Sequence, residues 1–164
     1  LAKRIGYQPA DEAYALGLFH NCGIPLMLKR FPEYMGVLEQ AYAGATDEVR
    51  VVDGENDRLN TNHAVVGYYV AKSWNLPKHL CEAIANHHNV QTVFSEDSSR
   101  NSQLKTLLAI LKMAENICAC YRTLGQQDED FEWASIETTI LEYVGFSEYD
   151  FQILKESIRD LDIS

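Results

Sequence analysis

Asp11-Glu12-Ala13-Tyr14-Ala15-Leu16-Gly17-Leu18-Phe19-His20-Asn21-Cys22-Gly23 is the stretch from which the fold can be read. Two acids place negative charge in a first helical turn, and Ala13, Leu16, Gly17 and His20 then recur at i, i+3, i+4 and i+7 until Cys22-Gly23 ends the run. The pattern is that of a helix with His20 on its inward stripe.

The same period extends outward on the C-terminal side. Pro25 and Pro32 open two short helices, and Gly44 breaks the second. Asp47 to Asn60 is polar and predicts part helix, part loop. Asn62 is placed to cap a helix whose inward face is His63, Val66, Gly67, Val70 and Trp74, and Pro77 starts another with Leu80, Cys81, Ile84, His87 and His88 inward. Residues 89 to 102 read as the longest polar linker. Gln103 to Leu124 is the strongest helical run, stopped by Gly125, and amphipathic helices follow near Trp133 to Val144 and Glu148 to Leu161. No strand hairpin or internal repeat interrupts this pattern. The predicted class is all-α, a compact multi-helix bundle over residues 1–164 as one domain.

Composition fits such a domain. A chain of 164 residues can bury about 70% of its unfolded surface in one core. Hydrophobic residues at 46% and charged residues at 23% disfavour both disorder and membrane spanning. No apolar run approaches the roughly 18 residues of a transmembrane helix and no signal sequence is visible, so a cytoplasmic location is expected, and the four cysteines read as reduced, mostly buried thiols. The net charge of −10 comes from 24 acidic against 14 basic residues, with the acids gathered at Asp128-Glu129-Asp130 and from Glu148 to Asp162. That surface repels phosphate backbones, so neither nucleic acid nor membrane is expected as a partner.

Chemistry concentrates in the histidines. Three separate helical segments bring His20, His63 and the pair His87-His88 to apolar stripes, which marks either metal ligands or the relic of a metal site. Glu115 is the second anomaly: it follows Leu104, Leu108 and Leu111 and precedes Cys118 in one stripe. A buried carboxylate needs an imidazolium, a backbone cap or a metal, unless the helix turns it to the surface beside Lys112. If it lies among the histidines, one of them is expected to be held protonated by it. His79 reads as a surface residue, Trp74 as core, and Tyr42, Tyr68 and Tyr69 as partly exposed.

Five phrases together carry a resemblance: residues 14–23, Asn62-His63-Ala64-Val65-Val66-Gly67, Trp74-Asn75-Leu76-Pro77, Ala83-Ile84-Ala85-Asn86-His87-His88 and Met113-Ala114-Glu115. In order and spacing over about residues 1–125 they resemble the HD-related output domain, HDOD, a relative of the HD superfamily of metal-dependent phosphohydrolases. The resemblance implies an HD-like bundle, with the helices of about 131–162 as a C-terminal addition. It implies that Leu1 lies partway into an earlier helix, so that a preceding half and a first histidine ligand are expected to be absent. By the same correspondence His20 and Asn21 stand at the doublet that names the superfamily, His63 and one or both of His87 and His88 at the additional histidines of two-metal members, and Glu115 at the closing aspartate.

The doublet normally supplies a carboxylate that bridges two metals and leaves a hydroxide for in-line attack. Asn21 has the shape of aspartate without its charge, and its amide NH2 repels cations. Magnesium or manganese would bind such a set poorly, whereas a divalent transition metal such as zinc, nickel or copper could still use the imidazoles. No catalytic residue is assigned with this set, and no cofactor is expected. Two functions remain open: a non-catalytic bacterial signal-transduction domain with a degenerate HD site, working through a protein partner or the preceding half, or a metal-dependent phosphohydrolase acting on a nucleotide or cyclic dinucleotide. The absence of a Gly-x-Ser-x-Gly elbow and of a glycine-rich phosphate loop disfavours other hydrolase classes.

Overall fold

The computed structural model describes residues 1–6, 10–96 and 101–161, and every regular element among them is a helix. The predicted all-α class is therefore observed. The first half contains α1 (Ala2–Ile5), α2 (Ala10–Phe19), α3 (Ile24–Arg30), α4 (Tyr34–Ala43), α5 (Val51–Leu59), α6 (His63–Ser73) and α7 (Lys78–Asn86). The second contains α8 (Val90–Ser95), α9 (Ser102–Ile117), α10 (Cys120–Thr123), α11 (Phe131–Val144) and α12 (Glu148–Leu161).

Helix α9 is the axis of the packing. Every side chain from Leu107 to Met113 is buried, Lys112 included, because α2, α7, α8, α11 and α12 surround it. One apolar cluster joins its Leu107, Leu108 and Leu111 to Leu16 of α2 and to Leu80 and Ile84 of α7. A second joins its Ala109, Met113 and Ile117 to Trp133, Ile136 and Ile140 of α11 and Phe151 and Leu154 of α12. A third, around Met27, Tyr34, Leu38, Tyr42 and Val51, packs α3, α4 and α5 together. Each fully buried aliphatic side chain contributes about 1.5–3 kcal/mol of transfer free energy, so these clusters fix the helices that carry the polar groups between them.

Two local devices place the histidines. Asn62 caps α6 as expected: its side-chain oxygen accepts from Val65 N at 2.9 Å, while its Nδ2 donates to Asn56 Oδ1 at 2.8 Å. That fixes His63 as the first residue of α6. Gly23 then lets the end of the α2 segment lie against the start of α6, because a Cβ there would fall on the His63 carbonyl oxygen and 2.8 Å from Gly67 N. The doublet at residues 20–21 is thereby brought beside His63.

Several expectations are corrected. The run predicted from Gln103 to Leu124 is two helices, since Ala119 adopts a left-handed φ of 54° and turns the chain after Ile117. Cys118, expected inward, is exposed at that break. The polar linker at 89–102 contains α8, whose Val90 and Val93 are buried, and residues 97–100 lie outside the described ones. Trp74 is 54% exposed rather than core, because α6 ends at Ser73 and the indole only meets Phe19 edge-on at 5.6 Å. Tyr42 is buried, not partly exposed, and sits against His88. His79 is half-buried, with Nε2 2.9 Å from Glu12 Oε1.

Candidate metal centre

His20, His63, His87 and His88 are all buried and their rings form a contiguous group, with centroid separations of 5.4 Å for His20–His87, 5.1 Å for His63–His87, 5.0 Å for His63–His88 and 4.2 Å for His87–His88. One ring nitrogen from each of His63, His87 and His88 lies within 4.8 Å of the others. The three could hold a metal ion.

Each ring is oriented by what its Nδ1 meets. His63 Nδ1 donates to Glu55 Oε2 at 2.7 Å, His87 Nδ1 to the Ile84 carbonyl at 2.7 Å, His88 Nδ1 to Glu132 Oε1 at 2.6 Å and His20 Nδ1 to the Gly17 carbonyl at 2.8 Å. The Gly17 and Ile84 carbonyls can only accept, so Nδ1 of His20 and of His87 carries a hydrogen, and Nδ1 of His63 and of His88 faces a carboxyl oxygen. His63 Nε2 and His87 Nε2 face each other at 3.1 Å, and His88 Nε2 is buried with no hydrogen-bond partner.

Burial pushes the His87 imidazole well below its ordinary value, assisted by His88, His63 and Lys112, and burial likewise depresses His88, assisted by Lys112 and His63. The expected imidazolium is thus not found at these two positions. Desolvation dominates there because no carboxylate outweighs it.

Glu115 does turn inward, and its Oε1 lies 3.2 Å from His20 Nε2. Its nearer partner is Lys112, whose Nζ is 2.7 Å from Glu115 Oε2 and 3.1 Å from Glu132 Oε2. Burial would raise the Glu115 carboxyl, but Lys112 first and His20 second hold it well below the usual range. Burial would likewise lower the Lys112 ammonium, and the two carboxylates overcome this to hold it above its usual value. Burial pushes the Glu132 carboxyl up against the pull of Lys112.

Asn21 spends its amide on the neighbouring ring, with Nδ2 donating to His20 Nε2 at 2.9 Å, and its Oδ1 is buried without a partner. The doublet position therefore offers a neutral amide, and His20 Nε2 is already engaged by Asn21 and Glu115. A two-metal HD set does not fit these residues. Its bridging carboxylate is missing, and its closing carboxylate is held by an ammonium.

Three participants were not read from the sequence. Glu55 is fully buried and also accepts from Tyr34 Oη at 2.7 Å and from His63 N at 3.1 Å. Val51, Glu55 and Leu59 at steps of four would have shown it on an apolar stripe. Lys112 stands four residues after Leu108 and three before Glu115, in the same stripe, although an ammonium there reads as a surface group from sequence alone. Glu132 gave no signal beyond its place in a first helical turn. Asp130 caps that turn through Trp133 N at 3.0 Å, which aims Glu132 inward.

A cleft of about 180 Å³ lies beside the centre, walled by His88, Asn89, Glu132, Arg50 and the 45–49 loop. The space next to Lys112, Glu115 and Glu132 is only about 10 Å³, room for about one water molecule.

The family model for the HDOD domain matches residues 1–90. An uncharacterized protein of Treponema pallidum (strain Nichols) is 32% identical over 91 residues, which is 55% of this chain and 17% of that protein. The crystal structure of a candidate phosphohydrolase from Shewanella amazonensis SB2B superposes with a TM-score of 0.62 at 25% identity, over 98% of this chain and 53% of that one. The chain thus spans about half of its structural relative and a smaller part of its sequence relative.

Proposed function

Since the chain belongs to the HDOD domain family, we propose that it is a non-catalytic regulatory module of bacterial signal transduction, built on a degenerate HD centre. The observation that carries this reading is the seat of Lys112. Its buried ammonium bridges Glu115 and Glu132, the carboxylates nearest the histidines on that side, and does there what a metal cation would do for charge. A lysine cannot lower the pKa of a water as a metal does, so the site has charge balance without a nucleophile.

The neighbouring geometry supports the same reading. Exposed Tyr14, Leu18, Tyr69 and Trp74 supply apolar surface for protein contacts, through which such a module would receive or pass a signal.

The competing reading is a metal-dependent phosphohydrolase acting on a nucleotide or cyclic dinucleotide. It is favoured by the activity proposed for the Shewanella protein and by the clustered imidazoles. Assay of the chain with bis-p-nitrophenyl phosphate and cyclic dinucleotides, in manganese, iron or magnesium, separates the two. No turnover above buffer is expected; hydrolysis that His87→Gln abolishes would overturn the regulatory assignment.

A further inference from the structure

Two of the free cysteines, Cys118 and Cys120, bracket the break between α9 and α10. On an unbroken helix, residues two apart face away from each other. Here the helix stops: Cys118 has φ −77° and ψ −3°, and Ala119 turns to φ 54° and ψ 44°. A residue with helical dihedrals of either hand sets the Cα atoms of its two neighbours about 5.4 Å apart, inside the span of about 4.4–6.8 Å that a disulfide bridges. The left-handed sense at Ala119 then sends both Cβ atoms out on the same side of the turn.

Hydrogen bonds fix this turn from both directions. Cys118 N donates to Ala114 O at 2.9 Å and Ala119 N to Asn116 O at 3.2 Å, while Ala119 O accepts from Arg122 N and Cys120 O from Leu124 N, each at 2.9 Å. The two thiols it brings together have unequal surroundings. Cys118 is exposed and Cys120 half-buried. Burial first, then the charges of Glu115 and Cys118, push the Cys120 thiol up to about 12, so Cys120 stays protonated at neutral pH and Cys118 is the thiol that reagents reach. Cys120 also walls, with Tyr42, Lys112, Glu115 and Glu132, the space of about 10 Å³ behind the ion pair. One sulfur thus meets solvent and the other meets the Lys112–Glu115 centre.

We propose that Cys118 and Cys120 form a reversible disulfide, closed by exchange with a low-molecular-weight disulfide of the glutathione class, and that this couple is a redox input to the Lys112–Glu115 centre. The Cys118 thiolate attacks one sulfur of the external disulfide, forms a mixed disulfide and expels one thiolate. Cys120 then gives up its proton and attacks the Cys118 sulfur, which closes the protein bond and releases the second thiol. Two protein thiols lose two electrons and two protons, and the external disulfide takes them up as two thiols. An exposed disulfide of this kind is readily reduced again, as a regulatory one must be. Closure draws the Cys120 sulfur toward Cys118 and off the wall it shares with Glu115. The inference rests on the regulatory reading, for which it names an input.

The reduced full chain is incubated with oxidised glutathione, blocked with iodoacetamide in urea and cut with trypsin, which leaves both thiols in the peptide 113–122. That peptide is expected unblocked and lighter by two hydrogens, and dithiothreitol should restore both thiols. Cys120→Ser should stop with glutathione on Cys118, and Cys118→Ser should carry none. The nuclear magnetic resonance signals of Tyr42, Lys112 and Glu115 should shift when the unaltered chain is oxidised and stay in place in Cys118→Ser. Glutathione retained on Cys118 of the unaltered chain, a disulfide between two chains, or a peptide blocked at both thiols overturns the inference. So does closure that leaves those three signals unmoved. The phosphodiester assay separates the two readings: closure with turnover overturns the regulatory module alone, no closure without turnover the dithiol alone, and no closure with turnover both.

Discussion

Lys112 Nζ and Glu115 Oε2 meet at 2.7 Å with side-chain exposures of 2% and 11%, an ion pair inside the packing rather than on it. Buried pairs of this kind contribute little net stability against apolar replacements, but removing one partner leaves the other charge stranded. Lys112→Met is therefore expected to destabilise the chain by about 3–5 kcal/mol in urea unfolding, and adding Glu115→Gln should recover part of the loss. Additive losses in the double variant would show that the two groups are not coupled.

Tyr34→Phe tests the anchor behind His63. The phenol donates to Glu55 at 2.7 Å, and burial first and Glu55 second push it far above its ordinary value, so it stays a donor at any working pH. Removing a hydrogen bond to a charged group costs about 1.5–3 kcal/mol. An unchanged urea midpoint would mean that this bond does not anchor Glu55.

Two glycines should respond with opposite signs. At Gly23 an added methyl collides with the backbone of His63 and Gly67, atoms that cannot rotate away, and Gly23→Ala should cost about 3 kcal/mol or more. Gly17 lies inside α2 with open space around it, and Gly17→Ala should gain about 0.5–1 kcal/mol. Thermal melts of the two variants decide the matter; loss in both would mean that α2 packs more closely than described.

The metal-free chain should lose stability as pH falls below about 6.5, the ordinary value for histidine. His87 and His88, faced by His20, His63, Lys112, Glu115 and Glu132, are held well below that value in the folded state. The unfolded chain takes up protons that the folded chain refuses, so stability is full above that pH. It then declines by about 1.4 kcal/mol per pH unit for each ring. Glu115, held low when folded, adds to the fall only below its unfolded value. A urea midpoint constant from pH 7.5 to 5.5 would contradict the description of two buried neutral rings.

Where the sequence spoke, it spoke through period. Leu16 with His20, and Ile84 with His87, stand at helical steps, so both the helices and the inward histidines were legible, and the Asn62 cap placed His63 to the residue. What it withheld were partners. A lysine next to Leu111 reads as solvent-facing because an ammonium is costly to bury, and only three dimensions reveal that Glu132, twenty residues on, makes burial tolerable. Glu55 was hidden by its polar neighbours in Val51–Leu59, where composition suggested part helix, part loop, and the apolar face was one residue wide per turn. The break at Ala119 depends on a left-handed residue that is neither glycine nor asparagine, and local propensity gives no notice of it.

The hydrogen bonds of the centre join helices that lie far apart in the chain: Glu55 in α5, His63 in α6, His87 at the end of α7, Lys112 in α9 and Glu132 in α11. None of these segments can swing out alone without stranding a polar group of another. Amide exchange should accordingly find α5, α6 and α11 opening together as one unit, although α11 belongs to a different apolar cluster from either. A disturbance felt at α5 would then reach α11 as a shared all-or-none opening, not as a graded displacement.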